Sequence, residues 1–398
     1  MIHYGRHHLD EEDIQAVVDV LRSGSLTQGS AIDVFEQAVA EYVGAKYAVA
    51  VSSGTAALHL AALAAGVGPG KSLITSPITF VASANAALYV GGRPVFADID
   101  PDTVNMSLGS LKEALAKNPD ARAVVPVHFA GLPCDMPAIK LAADRAGAVV
   151  IEDAAHALGA TYPDGSRVGS CAHSQMTMFS FHPVKAITTG EGGMITTNDE
   201  SAYRKLLRLR SHGINKLDDP LMLPEQALVN GVRAPWYYEM EELGYNYRIT
   251  EIQCALGLSQ FRKLDKFIRR RRALVGAYDK ALGEFRYCRP AQAEGREQSG
   301  HHLYTLRLKF KSLGVERARV MQTLREQGIV TQVHYVPVPM HPHYRRLGLN
   351  PQDYPNAQEY YEEALSIPLF FDLTDEQQKF VINALELACN FSRSPNRA

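Results

Sequence analysis

The chain has 398 residues, 46% of them hydrophobic and 21% charged, with 41 basic side chains against 43 acidic ones and a formal net charge of -2. This is ordinary globular composition, long enough for two or three domains with a sizeable core. The near-neutral balance gives no field that would draw nucleic acid, so nucleic acid is excluded as an expected partner. The five cysteines (Cys134, Cys171, Cys254, Cys288 and Cys389) are scattered and form no CxxC or Cys/His cluster, which fits unpaired thiols in a reducing cytoplasm. Residues Met1 to Arg6 run straight into the acidic stretch Asp10–Asp13 without the apolar core of a signal peptide. No apolar run reaches the ~18 residues that a membrane helix needs. A cytoplasmic protein without membrane contact is therefore expected.

In chain order, Asp10 caps an expected helix whose Ile14, Val17, Val18 and Leu21 share a face, and Gly24 stops it. A second helix is expected over Ala31–Val43. From Tyr47 onward short apolar runs alternate with helical stretches. The expected strands are Tyr47–Val51, Leu73–Ser76, Pro94–Ile99, Ala123–Val127, Val149–Asp153, Met176–Ser180 and Met194–Thr197. The helices between them lie near Ala56–Ala65, Phe80–Val90, Leu108–Lys117 and Pro137–Ala146. Such alternation predicts an α/β fold with a mostly parallel sheet of seven strands, covered on both faces, and ligands beyond the strands' carboxyl ends. Lys216–Glu241, with Pro220, Pro224, Gly231 and Pro235, reads as a long functional loop. One long helix is expected from Thr250 to about Leu282, then mixed elements and a last helix from Asp375 to about Leu387. The expected organisation is an N-terminal arm (1–15), a large domain (16–248), and a linker helix with a smaller C-terminal α+β domain (249–398).

Lys185 follows a strand, in a turn near the small residues Thr188-Thr189-Gly190-Glu191-Gly192-Gly193. An amine at a strand end with close backbone approach suits a cofactor-bearing lysine, although taken alone it reads as an exposed loop lysine. Val149-Val150-Ile151 and Glu152 deliver Asp153 to a strand's carboxyl end, with Glu152 pointing to the opposite side. A carboxylate there can keep a pyridine nitrogen protonated; the alternative is a cap on a following helix. His156 either reaches the cofactor's phenolic oxygen or is an ordinary half-buried helix histidine. Ser53-Gly54-Thr55 turns from a strand into a helix N-terminus, a place for phosphate, and Ser180 can add a hydroxyl. Phe80 either stacks on a pyridine ring or is core.

Together these segments resemble the DegT-type sugar aminotransferases of the aspartate-aminotransferase-like fold type I, dependent on pyridoxal 5'-phosphate (PLP). The resemblance covers nearly the whole chain. It rests on Leu26-Thr27-Gln28-Gly29, Ser53–Ala56, Pro77–Phe80, Glu152–His156, Phe179–His182 with Lys185, Gly190–Gly193, Arg210–Gly213 and Gly244–Arg248. It implies that Lys185 holds PLP and that Asp153 faces the ring nitrogen. It also implies that Phe80 stacks and that Gly54, Thr55 and Ser180 hold the phosphate, with His156 nearby. Asn246 would reach the cofactor of a partner subunit, making a homodimer with shared active sites. Some relatives carry histidine in place of the lysine and dehydrate; Lys185 here implies transamination.

Within the family the likeness is greatest to the pseudaminic acid branch. That branch implies a UDP-linked 2-acetamido-2,6-dideoxy-4-keto-hexose substrate, with L-glutamate as amino donor. Tyr4, Leu26, Thr27, Gln28, Ser53, Gln332, Val333, His334 and Tyr335 would lie near the nucleotide sugar. Competing readings are another UDP- or dTDP-keto-sugar, a PLP enzyme of another reaction type, or a non-enzymatic regulator on the same fold. Three features read as bland. Arg269–Arg272 is expected to be a solvated or subunit-facing run. His341-Pro342-His343 lacks a third metal ligand, so no metal is expected. His7-His8 and His301-His302 carry no signal.

Overall fold

The computed structural model describes residues 1–216 and 219–389. Residues 217 and 218 of the expected loop, and 390–398 at the end of the expected C-terminal domain, lie outside the described residues. The first helix, α1 (Glu11–Ser23), opens with a reciprocal capping box between Asp10 and Asp13 and ends at Gly24 in the left-handed region. The second, α2 (Ser30–Val43), starts against the Glu251 carboxylate, which accepts from the Gly29, Ala31 and Ile32 N–H groups. A carboxylate there satisfies orphan donors and complements the helix dipole.

Seven strands then form the central sheet: β1 (Tyr47–Val51), β2 (Ser72–Thr75), β3 (Arg93–Phe96), β4 (Ala121–Val125), β5 (Val149–Asp153), β6 (Met176–Ser180) and β7 (Gly193–Thr197). Their order is β1-β7-β6-β5-β4-β2-β3; β7 runs antiparallel to both neighbours and the remaining pairs are parallel. Two apolar clusters cover the faces, as near-continuous apolar strands require. One joins α2 to residues of the helices at 108–117, 136–145 and 264–282; the other packs the helices at 54–64, 81–89 and 200–210.

The expected long helix over 250–282 is two helices, Glu251–Phe261 and Leu264–Leu282. No proline or glycine marks the break. It falls where Lys263 turns to pair with Asp10 and Asp13, while Ser259 and Gln260 also donate to Asp13, at 2.6 Å each. A tertiary ion cluster, absent from local pattern, sets the boundary. Beyond it a three-stranded antiparallel sheet (288–290, 304–308, 364–367) packs with the last helix, Asp375–Cys389, around a separate core. The first residues cross to this unit: Ile2 exchanges backbone hydrogen bonds with Gly328 and Val330, and the Leu369 N–H donates to the Tyr4 carbonyl at 3.0 Å. No helix among the described residues is long and apolar enough to cross a membrane.

Glu152 points away from the neighbouring Asp153, into the sheet's other face. It is fully buried and accepts from His128 at 2.7 Å, Ser174 at 2.5 Å, Thr177 at 3.0 Å and the Tyr162 hydroxyl. The Cys134 N–H donates to His128 Nδ1 at 3.1 Å and orients the ring. Burial alone would raise the Glu152 carboxyl; its donors outweigh burial and hold it below the usual glutamate range. Glu152→Ala would leave these donors buried without an acceptor and should cost roughly 3 kcal/mol or more, read as a lower unfolding midpoint. Because the folded value is depressed, the wild-type advantage should be full above the ordinary value of 4.5 and shrink as pH falls below it. A variant as stable as wild type at pH 7 would contradict this account.

Candidate active site

The carboxyl ends of β1, β2, β5 and β6 open onto one side of the sheet, and their loops carry the chemistry. After β1, Ser53 caps the helix Gly54–Ala64, accepting from Ala56 N–H at 3.1 Å, so its hydroxyl is engaged in the fold. Gly54 begins that helix pressed against the end of β6: a Cβ there would stand 2.9 Å from Ser180 Cβ and 3.1 Å from Ser180 Oγ. Antiparallel β7 starts in the same place, and a Cβ on Gly193 would meet the Ser53 carbonyl at 2.5 Å. Only glycine fits at either position. The result is a narrow cradle of small groups at a helix N-terminus, with Thr55 half-buried beside it. Such a place receives an anion.

Lys185 sits in the turn after β6, its N–H bonded to the His182 carbonyl at 2.8 Å. Its side chain is half-buried and makes no hydrogen bond or ion pair among the described residues. Burial pushes its ammonium down from 10.5 to about 8, against the pull of the Asp153 carboxylate. Asp153 is itself buried at the end of β5; it accepts from Ser83 Oγ at 2.6 Å and from Ala155 N–H at 3.2 Å. The segment after it forms turns, not a helix, so Asp153 is no helix cap and His156 no helix histidine. The Ser83 contact escapes sequence reading. Its one trace is a hydroxyl four residues after Thr79, on the face of an alanine-rich helix that meets the sheet, with Thr79 and Ser83 2.7 Å apart.

His156 is buried, with Nε2 3.1 Å from the Tyr335 hydroxyl and Nδ1 without a partner. Its ring centroid lies 4.3 Å from that of His302, whose Nδ1 is also unpartnered. Burial, with Lys185 nearby, holds both imidazoles well below the usual histidine range and pushes His334 down to about 3. All three are therefore neutral at pH 7. His334 bonds Ser366 at 2.9 Å and lies 5.2 Å from the Tyr4 ring. Gln332 is exposed and pairs through its backbone with Ser366, and Val333 lies between them, half-buried. Tyr4, His334 and Tyr335 thus meet His156 and Lys185 in one wall. His302 joins that wall, although its doublet gives no sequence signal.

Phe80 is 59% exposed and 6.5 Å from the Tyr335 ring, which rules out the core reading. No hydrogen bond or ring contact links Leu26, Thr27, Gln28 or Asn246 to this wall within one chain. Leu26 and Thr27 pair with Glu251 and Thr250, Gln28 takes a positive φ of 56°, and Asn246 pairs with Ser211, its side chain exposed. Among the described residues no group of three His, Cys, Asp or Glu could hold a metal ion. The residues do fit PLP. An unpartnered amine, a buried carboxylate, an orphaned imidazole Nδ1 and an exposed aromatic ring lie with an anion cradle at the same strand ends.

The lysine value can be read without any reaction. Trace acetylation of the cofactor-free protein across pH should show Lys185 half-reactive near pH 8, well below the ordinary lysine value of 10.5. Because Asp153 raises the value, Asp153→Asn should lower it further. A Lys185 that titrates with the surface lysines would contradict the burial described.

Known proteins share this fold. The sequence profile of the DegT/DnrJ/EryC1/StrS aminotransferase family matches residues 7–386. The chain is 41% identical over 379 residues to the spore coat polysaccharide biosynthesis protein SpsC of Bacillus subtilis, covering 95% of this chain and 94% of that one. It is 37% identical over 386 residues to a UDP-4-amino-4,6-dideoxy-N-acetyl-beta-L-altrosamine transaminase of Campylobacter jejuni, covering 97% and 96%. The structure matches Helicobacter pylori PseC, an aminotransferase involved in pseudoaminic acid biosynthesis, with a TM-score of 0.86 at 30% identity over 98% of this chain and 99% of that one. Fold, site and sequence together place the chain in the DegT/DnrJ/EryC1/StrS family, as a PLP-dependent aminotransferase of fold type I.

Proposed function

We propose that this enzyme moves an amino group from L-glutamate to the C4 ketone of a UDP-linked 2-acetamido-2,6-dideoxy-4-keto-hexose, on the way to pseudaminic acid in a surface glycan. The observation that carries the proposal is the Lys185 amine, half-buried and unpartnered beside Asp153, with the neutral wall of Tyr4, His334 and Tyr335 next to it. The names of the Campylobacter and Helicobacter relatives support the sugar. The Bacillus relative's name, which points to spore coat polysaccharide, keeps a different nucleotide keto-sugar as the second reading.

The residues divide the work. Lys185 would carry PLP, and Gly54, Thr55 and Ser180 would hold its phosphate at the helix N-terminus. Phe80 would cover the ring, and His156, whose Nδ1 has no partner, would hold its polar edge. Asp153 would keep the ring nitrogen protonated, and Ser83 orients that carboxylate. Bound PLP supplies the electron sink for a carbanion. The Lys185 amine, once free, takes the proton from the donor's alpha carbon and, in the second half, gives one to the sugar's C4. A value near 8 leaves about one amine in ten uncharged at pH 7, roughly 300 times the share of an ordinary lysine. Tyr4, Ser53 and Gln332–Tyr335 face the nucleotide sugar. Leu26–Gln28 sit away from the wall within one chain, so a partner copy would bring them to the sugar. The same holds for Asn246, which reaches the partner's cofactor in a homodimer. The exposed Met222, Trp236, Met240 and Leu243, just before Asn246, favour such an interface. The near-neutral charge and unpaired cysteines suit a cytoplasmic site of action.

The test is a substrate panel. Enzyme, L-glutamate and a set of UDP- and dTDP-4-keto-sugars are incubated together and the products read by mass. The UDP-linked N-acetylated 4-keto-6-deoxy sugar should exchange its ketone for an amine at least tenfold faster than its dTDP counterparts. A preference for a dTDP-sugar would sink the substrate assignment. No amination of any sugar, despite spectral change with glutamate, would sink sugar transamination itself.

A further inference from the structure

Two fully buried polar side chains, His128 and Glu152, lie outside the proposed chemistry, yet both hold the strand end that carries Asp153. His128 Nε2 lies 2.7 Å from a carboxylate oxygen of Glu152, the residue before Asp153 in β5. The main chain of the same histidine closes on Asp153 itself. Its N–H donates to the Asp153 carbonyl at 3.1 Å, and the Asp153 N–H donates to the Pro126 carbonyl at 2.9 Å. Val127 bridges Asp153 in parallel after β4 has ended at Val125. No regular ladder between these two strands continues beyond that bridge, so its geometry depends on side-chain support.

The other ring nitrogen of His128 closes the turn that follows β4. The Cys134 N–H donates to Nδ1 at 3.1 Å, while Asn105 accepts from the Phe129 N–H at 2.9 Å and donates to the Leu132 carbonyl at 3.1 Å. The same turn reaches the site: the Ala130 carbonyl accepts from the His302 N–H at 2.9 Å, and the Phe129 ring lies 6.4 Å from that of His156. Glu152 is fixed in turn by Ser174, Thr177 and Tyr162. Both ring nitrogens of His128 are therefore engaged inside the protein and leave none for a ligand. A buried polar network whose members are satisfied rigidifies what it holds, and this one holds Asp153 from two sides.

We infer that His128, clamped to Glu152, is a positioning residue for Asp153: it fixes where that carboxylate stands relative to Lys185 without touching cofactor or substrate. The inference rests on the role proposed for Asp153 and supplies the device that holds it in place. Ser83 sets the rotation of the carboxylate through one oxygen, whereas the His128–Glu152 pair sets the main chain from which it projects. A displacement of roughly 1 Å caused away from the reacting atoms can cost about 100-fold in rate, so a clamp of this kind acts on the chemistry at a distance.

The test compares His128→Leu, Asp153→Asn and the double variant. Lys185 is titrated by trace acetylation of the cofactor-free protein, and the two half-reactions are measured separately on the holoenzyme. Asp153 raises the Lys185 value, so His128→Leu should lower it from about 8, in the same direction as Asp153→Asn. Both half-reactions should slow together by about tenfold or more, with the KM values for glutamate and sugar nearly unchanged. In the Asp153→Asn background the same change should slow them by less than about threefold further, because the carboxylate it positions is already gone. His128→Gln keeps a donor and an acceptor at the end of the side chain and should recover most of the loss. If His128→Leu does not fold, Glu152→Gln, which keeps the shape and removes the charge that His128 holds, takes its place. An unchanged Lys185 value in a folded variant, or slowing that adds in full to that of Asp153→Asn, would overturn the inference and leave the pair as a structural tie. The expected Lys185 shift in an enzyme that aminates no sugar would uphold the positioning and instead sink the proposed function.

Discussion

Everything in this site depends on holding an amine and a carboxylate together, partly out of water, without letting them neutralise one another. Lys185 comes from the turn after one strand and Asp153 from the end of its neighbour. The sheet fixes their separation, and burial makes the amine sensitive to the carboxylate. Lys185 is lowered enough to give up its proton near neutral pH, yet Asp153 keeps it from falling further. Ser83 occupies one carboxylate oxygen of Asp153 and thereby its orientation. The antiparallel β7 completes the arrangement, because its first residue, Gly193, wedges between the two loops that form the anion cradle.

The second unit of the chain contributes as much to the site as the sheet does. The N-terminal arm ties into the Gly328–Val330 segment, which brings Tyr4 against His334, and Tyr335 reaches His156 across the gap. Neutral imidazoles and hydroxyls dominate this wall. They offer hydrogen bonds without imposing charge beside the Lys185 amine. Arg271 stands behind them as the single buried guanidinium without a counter-ion among the described residues.

Much of this is legible in the sequence, and the reasons are local. Each of the seven strands lies on an apolar run long enough to declare itself, and Asp10 and Gly24 mark helix ends by their own chemistry. Glu152 and Asp153 separate to opposite faces because side chains alternate along a strand. What escapes is non-local. The break at Arg262–Lys263 comes from an ion cluster with Asp10 and Asp13, about 250 residues away in sequence. Arg271 reads as one of four like residues in a solvated run until the fold buries it alone. His302 acquires meaning only when the small sheet brings it to His156, and Ser83 only when its helix lies over the end of β5.

The proposed function requires Asp153 to serve both halves of the reaction through its charge. Single-turnover spectra of Asp153→Asn, with L-glutamate in one direction and the aminated nucleotide sugar in the other, test it most directly. Asparagine nearly preserves volume, so the protein should fold and still bind PLP. Both half-reactions should slow together by about two orders of magnitude, the usual scale for losing one preorganised electrostatic contact. A variant that slows in only one half, or in neither, would show that Asp153 is a structural residue and that the partner of the cofactor lies elsewhere.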